Sequence, residues 1–253
     1  MNKKAKIDYI KTILSIGRPS VGGWMQIPSP EIAEILGNSK FHWVALDLEH
    51  GSIGIPNLPS IFRALELNDT LPFVRIAGNY PSQAVRAMEQ GAAGVIVPNI
   101  ESAEDVEKIY SSINYPPRGN RGVGYNRGNC YGVEFNNDLD DNPFLVGMIE
   151  TQDGVNNIDA ILDCNKLDAI LIGPYDLSAS FNMTGQFDNH FFKEIVKQVK
   201  DTCIHRKIPV GLHVVQPNPH ELLARIDEGY TFIPYGGDVT MLSSCISNVN
   251  KDL

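Results

Sequence analysis

Eight short apolar runs alternate with stretches of helical periodicity in a chain of 253 residues. Together they predict an α/β fold: a closed (β/α)8, or TIM, barrel preceded by a short N-terminal helix. Parallel strands buried on both faces read as near-continuous Val/Ile/Leu runs. VALD at 44–47, PFVR at 72–75, GMIE at 147–150 and ILIGPYD at 170–176 have that character. Eight strand–helix pairs favour a closed barrel over an open doubly wound sheet. The length is close to the roughly 250 residues typical of such a barrel. Residues 1–253 are therefore read as a single domain.

The elements follow in order. MNKKAKIDYIKTIL is basic and amphipathic, with no continuous apolar core or small-residue cleavage site, and reads as an opening helix, not a signal peptide. Strands are predicted near 21–26, 42–47, 72–76, 93–97, 144–149, 168–172, 209–214 and 230–234. Helices are predicted at 29–37, 56–67, 81–90, 101–112, 153–163, 189–205, 218–228 and 238–249. Helix 81–90 has Pro81 in its first turn, where the missing N–H costs nothing, and Gly91 just past its end. Helix 101–112 has Asn99 or Ser102 as its cap.

Composition excludes several classes. A net charge of -9 and a pI near 5.1 argue against nucleic-acid and anionic-membrane partners. No apolar run approaches the roughly 20 residues that span a bilayer. The four cysteines are widely spaced, without a C-x-x-C pair or zinc spacing, as in a reduced cytosolic protein. A cytoplasmic location is expected.

One segment breaks the rhythm. Residues 114–143 are rich in Gly, Asn, Asp and Pro, and a loop of this length in a compact domain is usually functional or disordered. It follows the fourth strand and is expected on the active-site rim. Arg118, Arg121 and Arg127 bring it positive charge, suited to an anionic substrate or a neighbouring subunit.

In a closed parallel barrel the C-terminal strand ends converge on one rim, where such enzymes place their active sites. Asp47, His50, Arg75, Glu150, Asp176 and His213 all lie at or just beyond such ends. Glu150 and Asp176 follow apolar strands, where a carboxylate is expensive to bury without a partner. Two carboxylates without a thiolate nearby make a hard oxygen site for Mg2+ or Mn2+, with positions left for waters and a chelating substrate. For either residue alone, a cap or a salt bridge at the strand–helix junction competes with that reading. His50, three residues beyond Asp47, titrates near neutrality and suits a general base, with Gly51 permitting a tight turn. Arg75 ends a strand with no other charge and needs an anionic or carbonyl partner: Asp47, Glu49 or a substrate oxygen. GPYDLSASF leads from Gly173-Pro174 into a helix start near Asp176, whose backbone N–H groups suit a carboxylate. A weaker anion site is expected around Gly236-Gly237, where a simple turn competes.

LDLEHG, PFVR, GAAGVIVPNIESAED, YPPRGNRGVG, MIET and IGPYDLSAS, in this order and spacing, resemble the HpcH/HpaI family of metal-dependent (class II) pyruvate aldolases from about Trp24 through Asp238. The resemblance implies a TIM-barrel carbon–carbon lyase. Its reaction would be the reversible aldol cleavage of a 4-hydroxy-2-oxo acid, hydroxylated or sugar-derived, to pyruvate and an aldehyde. It implies Glu150 and Asp176 as metal ligands for Mg2+ or Mn2+, with Co2+ also compatible, and His50 as base with Asp47 beside it. Arg75 is implied as the pyruvate-binding arginine, with backbone at Gly173, Pro174, Tyr175 and Asp176 as the carboxylate seat. Trp24 and His213 complete the expected substrate-binding set. It further implies a homo-oligomer, a hexamer of dimeric units. Its last helix would pack on a neighbour through Val239, Met241, Leu242, Ile246 and Val249, which form an apolar stripe.

The chain departs from the family pattern at four places. Met148 stands where glutamine is common, LEHG replaces GEH so that Leu48 takes a glycine's place, His213 occupies an often apolar position, and strand eight ends in YGGD. A Schiff-base aldolase is disfavoured because the lysines fall in helices, in the N-terminal segment or before strands, as Lys166 does. Two other readings stay open: decarboxylation of oxaloacetate or a related acid through the same enolate, and a non-catalytic barrel used as a binding or scaffold protein.

Overall fold

The computed structural model describes residues 2–133 and 142–249. Helix α1 (Lys3–Ser15) precedes eight parallel strands: β1 (Ser20–Met25), β2 (Trp43–Asp47), β3 (Leu71–Arg75), β4 (Gly94–Val97), β5 (Phe144–Ile149), β6 (Ala169–Ile172), β7 (Val210–Leu212) and β8 (Phe232–Pro234). Between and after them lie α2 (Pro30–Gly37), α3 (Leu58–Leu67), α4 (Pro81–Glu89), α5 (Ala103–Ile113), α6 (Gln152–Asn156), α7 (Ile158–Asp163), α8 (Pro174–Ser180), α9 (His190–His205), α10 (Pro219–Asp227) and α11 (Asp238–Val249).

The sheet runs β7-β6-β5-β4-β3-β2-β1-β8. Its last seam, β7 to β8, is closed by three backbone hydrogen bonds. Thr231 N–H donates to Val210 O (2.9 Å), Val214 N–H to Pro234 O (3.0 Å) and Gly236 N–H to Val214 O (2.7 Å). Pro234 has no N–H to give, so the ladder is interrupted and both strands are shorter than their apolar runs predict. The strands also approach too closely for any side chain at Gly211, where a Cβ would stand 1.7 Å from Phe232 O. The predicted barrel is therefore present, with its weakest join at that seam.

Apolar alternation divides the core in two. Outward-facing strand residues pack against the helices, while Trp43, Phe73, Phe144 and Phe232 stack inside the lower barrel with ring centroids 4.5–5.5 Å apart along the chain of contacts. Ile7, Ile10 and Leu14 of α1 join that inner cluster and close the end of the barrel where the strands begin. Lys11 holds the plug by an ion pair of 2.9 Å to Asp168. Burial pushes the Asp168 carboxyl above its ordinary range, and Lys11 opposes the shift.

Local chemistry explains most helix ends. Ser102, not Asn99, caps α5 by accepting from Asp105 N–H. Asn99 instead has a positive φ of 52° in the loop before it. Pro81 starts α4 and Gly91, at φ +97°, follows its end. The helix predicted over 153–163 is two helices broken at Asn157, whose side-chain amide donates to Glu101 O (2.9 Å). Helix α8 begins at Pro174, two residues before the predicted start near Asp176.

The long loop requires a correction. Helix α5 returns the chain to the opposite rim before residue 114, so residues 114–133 follow it there and not on the active-site rim. Arg121 pairs with Glu89 (2.7 Å) and lies over the Tyr115 ring, 4.5 Å from its centroid. Arg127 pairs with Glu66 and donates to Gln90 O (3.0 Å). These two arginines fasten the loop to the C-terminal ends of α3 and α4, and they do not supply charge to the rim where the substrate is expected. Residues 134–141 of this segment lie outside the described residues.

Among the described residues no helix is long and apolar enough to cross a membrane, and the cysteines form no disulfide.

Candidate active site

Asp47 and Arg75 are register partners at the ends of β2 and β3, which places their side chains together at the rim. Arg75 Nε and Nη2 donate to Asp47 Oδ1 (3.0 Å) and Oδ2 (2.8 Å), and Nη1 donates to Glu49 (2.7 Å). The same carboxylate accepts from Trp24 Nε1 (3.0 Å), Gln26 Nε2 (3.1 Å) and the backbone N–H groups of Glu49 and His50 (3.0 Å each). Burial disfavours the Asp47 charge, but the Arg75 guanidinium and these donors outweigh it and hold the pKa at about 2. A bidentate pair of this kind fixes the plane of the guanidinium. Asp47 thus touches the backbone of His50, and its acceptor sites are taken up by Arg75, Trp24, Gln26 and two backbone amides.

Glu150 follows β5 and is 2% exposed. Its Oε1 accepts from Asn99 N–H (2.7 Å), whereas Oε2 is buried with no hydrogen-bond partner. Burial raises its pKa to about 7; the Asn99 N–H opposes this, and the negative charge of Asp176 adds to it. Gly173 makes the arrangement sterically feasible, because a Cβ there would meet Glu150 Oε2 at 2.6 Å. Asp176 sits in the first turn of α8, where Gly173 is the N-cap and no side chain caps the backbone.

The rim cavity, about 300 Å³, is lined by Trp24, Asp47, His50, Arg75, Asp176 and His213, together with Gly173, Pro174 and Tyr175. Every residue assigned to the site from the sequence therefore lines it, except Glu150, which lies just beneath Gly173. His50 is exposed at the mouth. Gly51 is forced by close packing, since a Cβ would stand 2.4 Å from Asp47 O. His213 lies 4.9 Å, centroid to centroid, from the Trp24 ring, and its Nε2 is 3.0 Å from Gly236 O. Burial depresses its pKa to about 4.

The weaker anion site expected at Gly236-Gly237 is closed: Gly236 N–H donates to Val214 O (2.7 Å) and Gly237 N–H to Thr240 Oγ1 (3.0 Å). No lysine among the described residues lines the rim cavity. Among the described residues no three His, Cys, Asp or Glu side chains are grouped to hold a metal ion, and Glu150 and Asp176 are near enough for the charge of one to raise the pKa of the other.

Sequence reasoning missed two contributors. Gln26 is the polar residue that follows the apolar run of β1, the same signal that singled out Asp47 and Arg75. Asp238, in the YGGD stretch, is 4% exposed and accepts from Gln26 N–H (2.9 Å) and Ile27 N–H (2.9 Å), tying the β1 end to the start of α11.

Comparison with known proteins agrees with this fold. Residues 21–245 match the HpcH/HpaI aldolase/citrate lyase family. The chain is 30% identical over 243 residues to a hydroxypyruvate/pyruvate aldolase of Roseobacter denitrificans, covering 94% of each chain. It is 30% identical over 230 residues to a 2-dehydro-3,6-dideoxy-6-sulfogluconate aldolase of Pseudomonas putida, covering 88% of each. The crystal structure of an HpcH/HpaI aldolase/citrate lyase family protein from Burkholderia cenocepacia superimposes with a TM-score of 0.90 at 23% identity, over 96% of this chain and 98% of that one.

Proposed function

The chain belongs to the HpcH/HpaI aldolase/citrate lyase family and is a lyase, and from that premise we propose that it cleaves a 4-hydroxy-2-oxo acid reversibly to pyruvate and an aldehyde at the β2–β3–β5–β6 rim. The observation that carries this reading is the Glu150 carboxylate, buried with one oxygen unpartnered beside Gly173 and within the fields of Asp176 and Arg75. An orphaned buried carboxylate oxygen is costly unless something positive meets it. Two hard oxygen donors suit Mg2+ or Mn2+, with Co2+ also compatible.

A divalent cation held by Glu150 and Asp176 would supply Lewis-acid polarisation of the 2-oxo acid's carboxylate and keto oxygens. The remaining work falls to the chain. Arg75, locked by Asp47 and Glu49, keeps N–H groups and its full charge available for the keto oxygen, where negative charge develops as the C3–C4 bond breaks. The uncapped first turn of α8 seats the carboxylate. His50, its backbone anchored by Asp47 and its ring at the mouth, takes the C4 hydroxyl proton, and in synthesis removes a pyruvate methyl proton. Trp24 holds Asp47 and packs under Arg75, whose Cζ lies 5.5 Å from the ring centroid.

The test is pyruvate C3 proton exchange and aldehyde-dependent carbon–carbon bond formation, measured after chelation and after adding Mg2+, Mn2+ or Co2+. Glu150→Ala and Asp176→Ala should abolish both activities in folded protein, and His50→Ala should slow exchange. Full activity after exhaustive chelation overturns the metal assignment. Release of CO2 from oxaloacetate without any aldehyde reaction would make the enzyme a decarboxylase instead.

We also propose a homo-oligomer, a hexamer. Val239, Leu242 and Ile246 of α11 are 42%, 47% and 64% exposed, an apolar face that a neighbouring copy would cover. Met241 turns instead towards this chain's own core, and the Val249 side chain lies outside the described set. A monodisperse monomer by light scattering at micromolar concentration overturns the assembly.

A further inference from the structure

Among the rim-cavity side chains with no task in the chemistry above are Gln26, just past β1, and His213, just past β7. The hydrogen bonds each one makes determine what it still offers. His213 Nε2 lies 3.0 Å from Gly236 O, and a carbonyl oxygen only accepts, so Nε2 carries the proton. Burial keeps the imidazole neutral at pH 7. A neutral ring protonated at Nε2 has a bare lone pair at Nδ1, and Nδ1 has no hydrogen-bond partner among the described residues. Gln26 follows the same logic. Asp47 is ionised and only accepts, so the Gln26 amide must turn its NH2 group to Oδ2, 3.1 Å away. That leaves Oε1 as a second acceptor, also without a hydrogen-bond partner among the described residues.

Trp24 stands with both residues, sharing Asp47 Oδ2 with Gln26 and lying against the His213 ring. The wall they form has acceptors and no cation. The lysines and arginines at the cavity are reduced to Arg75, already committed to Asp47, Glu49 and the 2-oxo acid. A second cavity of about 610 Å³ shares Pro174, Tyr175, His213 and Val215 with the rim cavity, and Lys193, Lys197, Lys200 and Arg225 line that second cavity alone.

We propose that Gln26 and His213 form an acceptor subsite for the hydroxyl groups of an uncharged hydroxyaldehyde, and that it disfavours aldehydes bearing a second carboxylate. The proposal rests on the aldolase reading above. A hydroxyl donates to Nδ1 or Oε1 at no electrostatic cost, whereas a carboxylate has only lone pairs to set against them. A site built to pair with a hydroxyl also penalises the analogue that lacks it.

The experiment measures kcat/KM with pyruvate and Mn2+ for glycolaldehyde, propanal and glyoxylate in wild type, Gln26→Leu and His213→Leu. Ratios between aldehydes within one protein cancel any change in enolate formation, and comparing ratios between proteins cancels the aldehydes' intrinsic reactivities. The glycolaldehyde-to-propanal ratio should fall about tenfold in each variant, as the loss of one neutral hydrogen bond implies. The glyoxylate-to-propanal ratio should hold or rise. If neither ratio moves in either variant, or if the glyoxylate ratio falls as far as the glycolaldehyde ratio, the hydroxyl subsite is wrong. The variants stand independently, so one that fails to fold leaves the other decisive. Wild-type exchange of the pyruvate methyl protons without aldehyde reports on the lyase chemistry alone. Its absence overturns that chemistry and this subsite together, while exchange with unmoved ratios overturns only the subsite.

Discussion

Replacing Glu150 with glutamine is the perturbation for which the structure supplies both a sign and a size. The carboxyl is 2% exposed and its pKa stands at about 7, against an ordinary 4.5. A folded carboxyl that binds its proton more tightly than the unfolded one contributes stability that is fully present below pH 4.5. That stability is lost as the pH rises to about 7. At about 1.4 kcal/mol per pH unit, the gap corresponds to about 3 kcal/mol. In a chain of this size that amounts to roughly 6–12 °C in Tm. Melts of metal-free protein in chelator between pH 5 and 8 should therefore show wild type falling by about that much relative to Glu150→Gln, which has no proton to lose. Other ionisable groups are common to both proteins and cancel. Adding Mn2+ above pH 7 should restore most of the lost stability in wild type and little in the variant, because ligation takes the proton's place. Parallel pH curves for the two metal-free proteins would refute the argument, since an orphaned buried carboxylate cannot be indifferent to its charge.

Gly173→Ala should weaken Mn2+ binding by tenfold or more in a calorimetric titration, because its Cβ would stand 2.6 Å from Glu150 Oε2; unchanged affinity would show that this oxygen is not a ligand. Asn99→Val should weaken the same binding and Asn99→Gly should preserve it, since φ of 52° is strained for a branched residue and the Asn99 N–H holds Glu150 Oε1. Asp47→Asn leaves the Arg75 charge with Glu49 alone and should cost about 3–5 kcal/mol in chemical unfolding as well as weakening oxalate binding. Ile10→Ala, 1% exposed in the plug at the far end of the barrel, should cost about 2–5 kcal/mol by the same measurement while leaving kcat/KM as it is.

Much of this molecule is legible in its chain because burial constrains composition. Strands covered on both faces must be apolar, so a polar or charged residue at the end of such a run stands out, as Asp47, Arg75, Glu150 and Asp176 do. The same rule would have found Gln26, which ends the first run as visibly as Asp47 ends the second. Helix ends at Pro81, Gly91 and Ser102 are local hydrogen-bonding and φ problems, and the residues that solve them are present at those positions.

What the chain could not express was the rim to which a long loop belongs and the partners that each buried group finds. The 114–143 segment reads as a functional loop after the fourth strand, yet the intervening helix α5 carries residues 114–133 to the opposite rim, where Arg121 and Arg127 pair with Glu89 and Glu66. Composition describes a loop's solvation, whereas its rim depends on how many times the chain has crossed the barrel. The state of Glu150 is of the same kind. Asn99 N–H satisfies one oxygen, the missing side chain of Gly173 leaves space at the other, and Asp176 raises the cost of its charge. Asn99 comes from the turn after β4, and Gly173 and Asp176 from the turn after β6, whereas Glu150 itself follows β5. Residue type and local periodicity therefore determine the barrel and its candidate groups, while hydrogen-bond satisfaction and charge are sums over neighbours that only the closed tertiary structure assembles.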